Sequence, residues 1–250
     1  MDSLIVMDAR GRKRLVRLDE GMLRIEGLGV VESSKLRASV GRAITVAGKR
    51  FLVLTATAVD NIEGIERGAQ IVVAKDSASI VQRCGLGAGD LVIEGGAGSG
   101  ALTIALAHAV SPTGQVVSYE LREDFASIAR RNVRAAGLEK MVEIKVADIN
   151  AGISEKDAKA VVLDIPEPWK AVETSWAALA PCGAFASYSP TVEQVKETVR
   201  ALRALPFVDL RTTESIEREI EVKESGVRPT FAALGHTGYI TTARKVLETL

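Results

Sequence analysis

The chain has 250 residues, 47% of them apolar, enough for one large domain or a small domain joined to a larger one. Its 32 Lys and Arg balance 32 Asp and Glu, which excludes a general polyanion binder and confines any nucleic-acid surface to a local patch. Two cysteines without metal-ligand spacing, Cys84 and Cys182, exclude a disulfide framework and a zinc site; they read as buried small hydrophobes in a reducing compartment.

The N-terminus is too short and too acidic for a signal peptide, and the longest apolar run, residues 101–110, is about half a membrane span. A cytoplasmic protein without membrane segment or metal is expected. Residues 1–66 read as a small β-rich domain, with predicted strands at 14–18, 22–25, 29–32, 43–46 and 50–54 punctuated by Gly11, Gly27, Gly41 and Gly48. Up to Asp60 there are eleven Lys or Arg against seven Asp or Glu, with Arg10, Arg12, Lys13, Arg14 and Arg17 clustered. That excess is either a solvated face or a basic patch.

Residues 67–250 read as a second domain with a different rhythm. A helix is predicted at 77–85, a short strand at 91–93, a helix at 100–110 and a strand at 115–120. The helix predicted at 122–136 buries Phe125, Ile128, Ala129 and Val133, and Gly137 ends it. Strands at 142–146 and 160–163, a helix at 172–179, a strand at 184–187 and a helix at 192–205 follow. Two longer strands, 208–220 and 231–245, are predicted to close the chain. Strands alternating with helices imply an α/β fold with a parallel sheet covered on both faces.

The strongest local signal is residues 91–102, Leu-Val-Ile-Glu-Gly-Gly-Ala-Gly-Ser-Gly-Ala-Leu. A strand runs into a glycine loop and then a helix, so Gly96, Gly98 and Gly100 let backbone approach a ligand closely. The next strand ends in Glu120, where a carboxylate can accept both hydroxyls of a ribose. The following one ends at Asp148 and Ile149, which suit an adenine amine and ring. A dinucleotide fingerprint is also met, by Gly96, Gly98, Ala101 and Glu120. Three features favour S-adenosylmethionine instead: Glu94 before the glycines, placed to hold a methionine amino group, the Gly-x-Gly-x-Gly run, and Asp148. A second signal is residues 163–169, Leu-Asp-Ile-Pro-Glu-Pro-Trp, where two prolines stiffen a loop presenting Asp164. Trp169 reads equally as a base-stacking residue or as core.

Three segments resemble the single-subunit bacterial and archaeal tRNA (adenine-58-N1)-methyltransferases: residues 67–76, the glycine motif 94–102, and Asp-Ile-Pro-Glu-Pro-Trp at 164–169, the most specific of them. The tail, with Arg228-Pro229 and Gly-His-Thr-Gly-Tyr-Ile at 235–240, also looks like the family's, so the resemblance covers essentially the whole chain. It implies a Rossmann-like class I methyltransferase fold with a mostly parallel seven-stranded sheet behind a small β-domain. It further implies methyl transfer to N1 of an adenine in the tRNA T-loop, at position 58 and in some archaeal members its neighbour, by a homotetramer. The implied cofactor residues are Gln70, Glu94, Gly96, Ala97, Gly98, Ser99, Gly100, Ala101, Leu102, Glu120, Leu121, Asp148, Ile149 and Asp164. Asp164 is the implied catalytic residue; Pro166, Trp169, Arg228 and His236 would meet substrate. One departure stands out: Val73 and Ala74 replace the family's usual Tyr-Pro, whose tyrosine lines the base pocket.

Three alternatives fit less well. A protein-directed methyltransferase of the isoaspartate type has no reason to carry the Asp-x-Pro-x-Pro-Trp run. A non-catalytic RNA-binding subunit would not keep Glu94, Glu120, Asp148 and Asp164 together. A small-molecule N-methyltransferase leaves the N-terminal domain without a purpose.

Overall fold

The computed structural model describes residues 3–68, 70–231 and 235–248. At the N-terminus, β1 (Ser3–Met7), β2 (Lys13–Arg17), β3 (Met22–Ile25), β4 (Gly29–Glu32), α1 (Ser33–Ala38), β5 (Ala43–Val46), β6 (Lys49–Thr55) and α2 (Ala58–Glu63) follow one another. An antiparallel sheet of order β2-β1-β6-β5 and a β3–β4 hairpin enclose a core that includes Leu4, Val6, Leu36, Phe51 and Val53. The alternating side chains of β1 and β6 put Leu4, Val6, Phe51 and Val53 on one face, and Leu36 comes from α1. Strand β1 and both helices were absent from the sequence reading. Each helix has six residues, too short for a 3.6-residue period to show. Helix α2 starts on a capping box, in which Thr57 Oγ1 accepts from Asp60 N–H at 3.2 Å and Asp60 Oδ2 accepts from Thr57 N–H at 3.0 Å.

The remainder comprises α3 (Ala74–Arg83), β7 (Leu91–Gly95), α4 (Ala101–Val110), β8 (Gln115–Glu120), α5 (Glu123–Ala135), β9 (Val142–Val146), β10 (Ala158–Leu163), α6 (Val172–Ala178), β11 (Leu179–Ser189), α7 (Val192–Arg203), β12 (Phe207–Glu214), β13 (Ile220–Lys223), β14 (Gly226–Pro229) and β15 (Tyr239–Lys245). Seven strands form one sheet of order β12-β15-β11-β10-β7-β8-β9. Strands β7 to β11 pair in parallel, and β15 runs antiparallel to both β11 and β12. This is the expected class I methyltransferase fold. The central strands are apolar on both faces. Val92, Val116 and Val162 pack with α3, α4 and α5, while Ile93, Val117 and Val161 pack with α6 and α7.

Two expectations need correction. The closing pair is shorter than residues 208–220 and 231–245, because the chain leaves the sheet after Glu214 and folds β13 and β14 into a separate hairpin. Gly226, at φ +144, sits at the turn and permits it. Residues 232–234 of the predicted strand lie outside the described residues. Cys182 is exposed, at φ +63 within β11, whereas Cys84 is buried as expected. No helix among the described residues is long and apolar enough to cross a membrane.

Helix α3 begins three residues earlier than predicted, and its first turn ties the C-terminal segment to the sheet. Lys75 Nζ donates to Asp76 Oδ1 at 2.8 Å, to Ser215 O at 2.7 Å and to Thr237 Oγ1 at 2.7 Å. Thr237 Oγ1 donates to Asp76 Oδ2 at 2.7 Å. Asp76 is fully buried, so removing it strands a largely buried ammonium. Asp76→Ala is expected to lower unfolding free energy by about 3 kcal/mol or more, whereas Glu193→Ala, which breaks an exposed pair with Lys196, costs under about 0.5 kcal/mol. Urea denaturation of both variants checks the contrast.

Candidate active site

From β7 the chain winds to β8 and β9 on one side, then crosses to place β10 on the other side of β7. In an open α/β sheet a crevice forms beyond the strands' carboxyl ends at such a reversal. A cavity of about 660 Å³ lies there, a volume suited to a small organic ligand.

Its floor is set by close backbone packing at the ends of β7 and β10. Asp164 N–H donates to Gly95 O at 2.8 Å, and Gly96 N–H donates to Tyr119 O at 2.8 Å. A Cβ on Gly96 would lie 2.2 Å from the Asp164 carbonyl oxygen, and its φ of +90° is one that side chains resist. Gly98, at φ +51, has open space in front of it on the cavity wall.

Three carboxylates line this cavity, Glu120, Asp148 and Asp164, and a fourth, Glu94, is buried behind it. Glu120 is held by backbone on both oxygens: Oε2 accepts from Gly98 N–H at 2.9 Å and Oε1 from Arg122 N–H at 3.0 Å. The oxygens keep lone pairs for ligand hydroxyls. Asp148 caps the turn after β9, its Oδ1 accepting from Asn150 N–H at 2.9 Å, with Ile149 beside it on the wall. Glu94 is fully buried; its Oε2 accepts from Thr103 at 2.6 Å and Ser118 at 2.5 Å, while Oε1 finds no partner among the described residues. Asp164 is half-buried on the cavity wall and accepts no hydrogen bond among the described residues. Burial pushes Glu94 up to about 7, with Asp164 and Glu120 adding to it against the two hydroxyls. Burial, then the charge of Glu120, pushes Asp164 up to about 7.

The expected site residues divide by position. Gln70, Gly96, Gly98, Glu120, Leu121, Asp148, Ile149, Asp164 and Pro166 line the cavity. Glu94, Ala97, Ser99, Gly100, Ala101 and Leu102 are buried behind it. Gly100, at φ +84, caps α4 where a Cβ would come within 3.3 Å of Ala129 Cα. Trp169, Arg228 and His236 are not on the wall. Trp169 is half-buried in a single 3₁₀ turn. Arg228 pairs with Glu221 across the β13–β14 hairpin at 3.2 Å and lies over Phe231. His236 joins Glu214 Oε1 at 2.6 Å to Pro190 O at 2.9 Å. Both partners are acceptors, so the ring satisfies both only as an imidazolium, and Glu214 raises its pKa.

Sequence reasoning missed Tyr188, Pro190, Gln194 and Thr237 on the wall. Tyr188 and Pro190 stand at the carboxyl end of β11, so the rule that found Glu120 and Asp148 extends to them. Thr237 lies inside the tail segment already noted. Val73, in place of the family's tyrosine, caps α3 in extended geometry, and the neighbouring wall is made by Gln70 and Ile71.

A cationic ligand with a nucleoside end fits these residues. Glu94 Oε1 is a buried acceptor without a donor, Glu120 presents a fixed carboxylate, and Gly98 leaves room for close approach. The raised carboxyls carry a pH signature. The ligand-free folded protein binds more protons than the unfolded chain from about pH 4.5 to about 7, so its stability falls as pH rises through that window. For Glu94 the shift from 4.5 to about 7 corresponds to about 3 kcal/mol. The melting temperature of ligand-free protein should fall between pH 5 and about 8, and Glu94→Gln should flatten part of that slope in a thermal-shift series. Affinity for S-adenosylmethionine, a cation, should rise over the same interval by calorimetry.

A family model described as the GCD14 subunit of a tRNA methyltransferase complex matches residues 61–230. The chain is 36% identical to the tRNA (adenine(57)-N(1)/adenine(58)-N(1))-methyltransferase TrmI of Methanocaldococcus jannaschii, over 98% of this chain and 96% of that protein. Among solved structures, it is similar to a SAM-dependent O-methyltransferase from Thermotoga maritima, with a TM-score of 0.88, 35% identity, and coverage of 100% of this chain and 94% of the other. It is also similar to the tRNA (m1A58) methyltransferase TrmI from Aquifex aeolicus, with a TM-score of 0.79, 25% identity, and coverage of 99% and 97%. With these full-length relatives and the S-adenosylmethionine-type cavity, the chain belongs to the TrmI family of single-chain tRNA (adenine-58-N1)-methyltransferases.

Proposed function

We propose that the protein methylates N1 of adenine 58 of tRNA, with position 57 as a neighbouring target, using S-adenosylmethionine. The observation that carries the reading is Asp164, a carboxylate on the cavity wall without a hydrogen-bond partner among the described residues, fixed on a stiff Ile-Pro-Glu-Pro turn beside the glycine loop. Gln194 Nε2 donates to Pro166 O at 2.9 Å and ties that turn to α7.

The cofactor supplies an electrophilic methyl group. Glu120 would hold the ribose hydroxyls, Asp148 and Ile149 the adenine, and Glu94 the amino group. The target base must leave its stack for N1, on the Watson–Crick edge, to reach the cavity. Its N1 lone pair is nucleophilic without prior deprotonation. Asp164 accepts from the exocyclic N6 amine, orients the ring and stabilises the positive charge that develops on it. Pro166 lies next to that base. Trp169, Arg228 and His236 act from the rim or through neighbouring loops. The division at residues 66 and 67 separates a β-module that holds RNA from the transfer domain, and the Arg10–Arg17 cluster is its basic surface. A homotetramer is supported by apolar side chains left exposed on and beside the β13–β14 arm, among them Ile216, Val222, Val227 and Phe231. A tRNA-modifying enzyme works in the cytoplasm.

Transfer of labelled methyl to unmodified tRNA transcripts, read by nucleoside mass spectrometry, should yield 1-methyladenosine. Asp164→Ala should lose roughly 100-fold or more in kcat while its cofactor affinity changes only a few-fold. Wild-type turnover in that variant removes Asp164 from the mechanism. The Thermotoga relative is described as an O-methyltransferase; label found as a base-labile ester on protein, with none in tRNA, would establish that second reading instead.

A further inference from the structure

We infer that Asn132 is a positioning residue, whose single carboxamide makes the geometry of the glycine loop depend on the docked N-terminal β-module. The inference rests on the cavity being the S-adenosylmethionine site. Asn132 lies on α5, outside the cavity wall, and is 1% exposed. Its amide makes four hydrogen bonds to three separate segments. Oδ1 accepts from Arg17 Nη2 of β2 at 3.1 Å and from Glu66 N–H of the connecting segment at 3.0 Å. Nδ2 donates to Glu66 O at 2.9 Å and to Ser99 O at 2.8 Å. The two partners of the oxygen are unambiguous donors and the two of the nitrogen unambiguous acceptors, so the amide has one permitted orientation.

Ser99 belongs to the turn that forms the glycine loop. Gly100 N–H donates to Ala97 O at 2.7 Å across that turn, and Gly98 N–H, within it, holds Glu120 Oε2 at 2.9 Å. Gly68 N–H of the connecting segment also donates to Ser99 Oγ at 2.9 Å. Rotation of the turn about its ends would therefore move Glu120's backbone anchor. Asn132 prevents that rotation by gripping the Ser99 carbonyl from outside. One turn earlier on the same face of α5, Ala129 packs on Gly100, so the helix registers the loop at two successive residues. Arg17 extends the grip to the N-terminal sheet. A different link joins the same parts without touching the loop: Arg131 pairs with Glu66 at 2.9 Å on the exposed surface.

The test compares Asn132→Asp, Asn132→Ala, Arg17→Met and Arg131→Ala in the full chain. Asn132→Asp keeps shape and the Oδ1 acceptor but turns a carboxylate oxygen toward two carbonyls. Two readouts are used: hydrogen exchange of residues 96–100 without ligand, and S-adenosylmethionine affinity by calorimetry. Both Asn132 variants should speed exchange in the loop and weaken the cofactor about tenfold, raising its KM while kcat at saturating cofactor stays within about threefold. Arg17→Met should move both readouts in the same direction by a smaller factor, and Arg131→Ala should move neither. Unchanged loop exchange in Asn132→Asp overturns the inference. An effect of Asn132→Asp with none from Arg17→Met overturns the dependence on the N-terminal module. Faster loop exchange in a protein whose wild type binds no S-adenosylmethionine overturns the cofactor reading and leaves the structural coupling standing. Should Asn132→Ala fail to fold, Asn132→Asp and Arg17→Met still decide.

Discussion

The crowding of carboxylates around one cavity is the constraint on which this architecture turns. Burial raises Glu94 and Asp164 most, and the neighbouring charges add to it, Asp164 and Glu120 on Glu94 and Glu120 on Asp164. A ligand-free protein meets the cost of burial and the repulsion by retaining protons on Glu94 and Asp164 near neutral pH. A cation removes the need. The cavity's electrostatics therefore select for positive charge before any particular contact is considered, and a sulfonium with an ammonium group is the kind of cation this arrangement suits. Preorganisation carries the rest, because Glu120 is locked by two backbone N–H groups and needs little reorganisation to meet a ligand.

Backbone contact, not side-chain contact, holds the carboxylates in register. The end of β7 touches the end of β10 so closely that residue 96 must be glycine, and the pairing continues as a hydrogen bond from Asp164 N–H to Gly95 O. Glu94 and Asp164 thus share one rigid backbone junction at the centre of a buried sheet. Mobile loops could not keep two like charges this near each other. The loop bearing Pro166 is braced in turn by Gln194, at the start of α7, so both sides of the cavity are anchored on long elements.

Much of this was legible in the residues. Buried parallel strands read as apolar runs, and each ends at a polar residue that must face solvent or ligand, which exposed Glu120, Asp148 and Asp164 as a set. Glycines at 96, 98 and 100 announced a backbone that needs positive φ. What escaped had a physical reason in each case. Helices α1 and α2 are too short for periodicity. The apolar run of β11 ends at Ser187 in the sequence while the strand continues to Ser189, which hides Tyr188. The hairpin β13–β14 interrupts what looked like two continuous strands. Asn132 was invisible because its partners lie 66 and 115 residues away, and nothing local in α5 marks it among the polar residues of an amphipathic helix.

An acidic cavity in an enzyme for a polyanion poses an apparent contradiction, and the chain's charge layout resolves it. With no net charge overall, attraction for phosphates has to be separated in space from the cluster that repels them. The excess of Lys and Arg falls in the first sixty residues, on a module with its own apolar core, while the acids fall at the carboxyl ends of the larger sheet. Separation has a cost: the two modules must keep a fixed relation. The contacts between them combine apolar burial, with Ile62 and Ile65 packed into the core of the larger domain, and directional polar links. Arg17 and Glu66 both meet Asn132, and Glu66 also meets Arg131. Apolar burial alone would hold the modules together while tolerating slip, since it has no preferred direction. Directional hydrogen bonds such as Arg17 to Asn132 favour one arrangement, so the basic face of the first module keeps a defined relation to the acidic cavity.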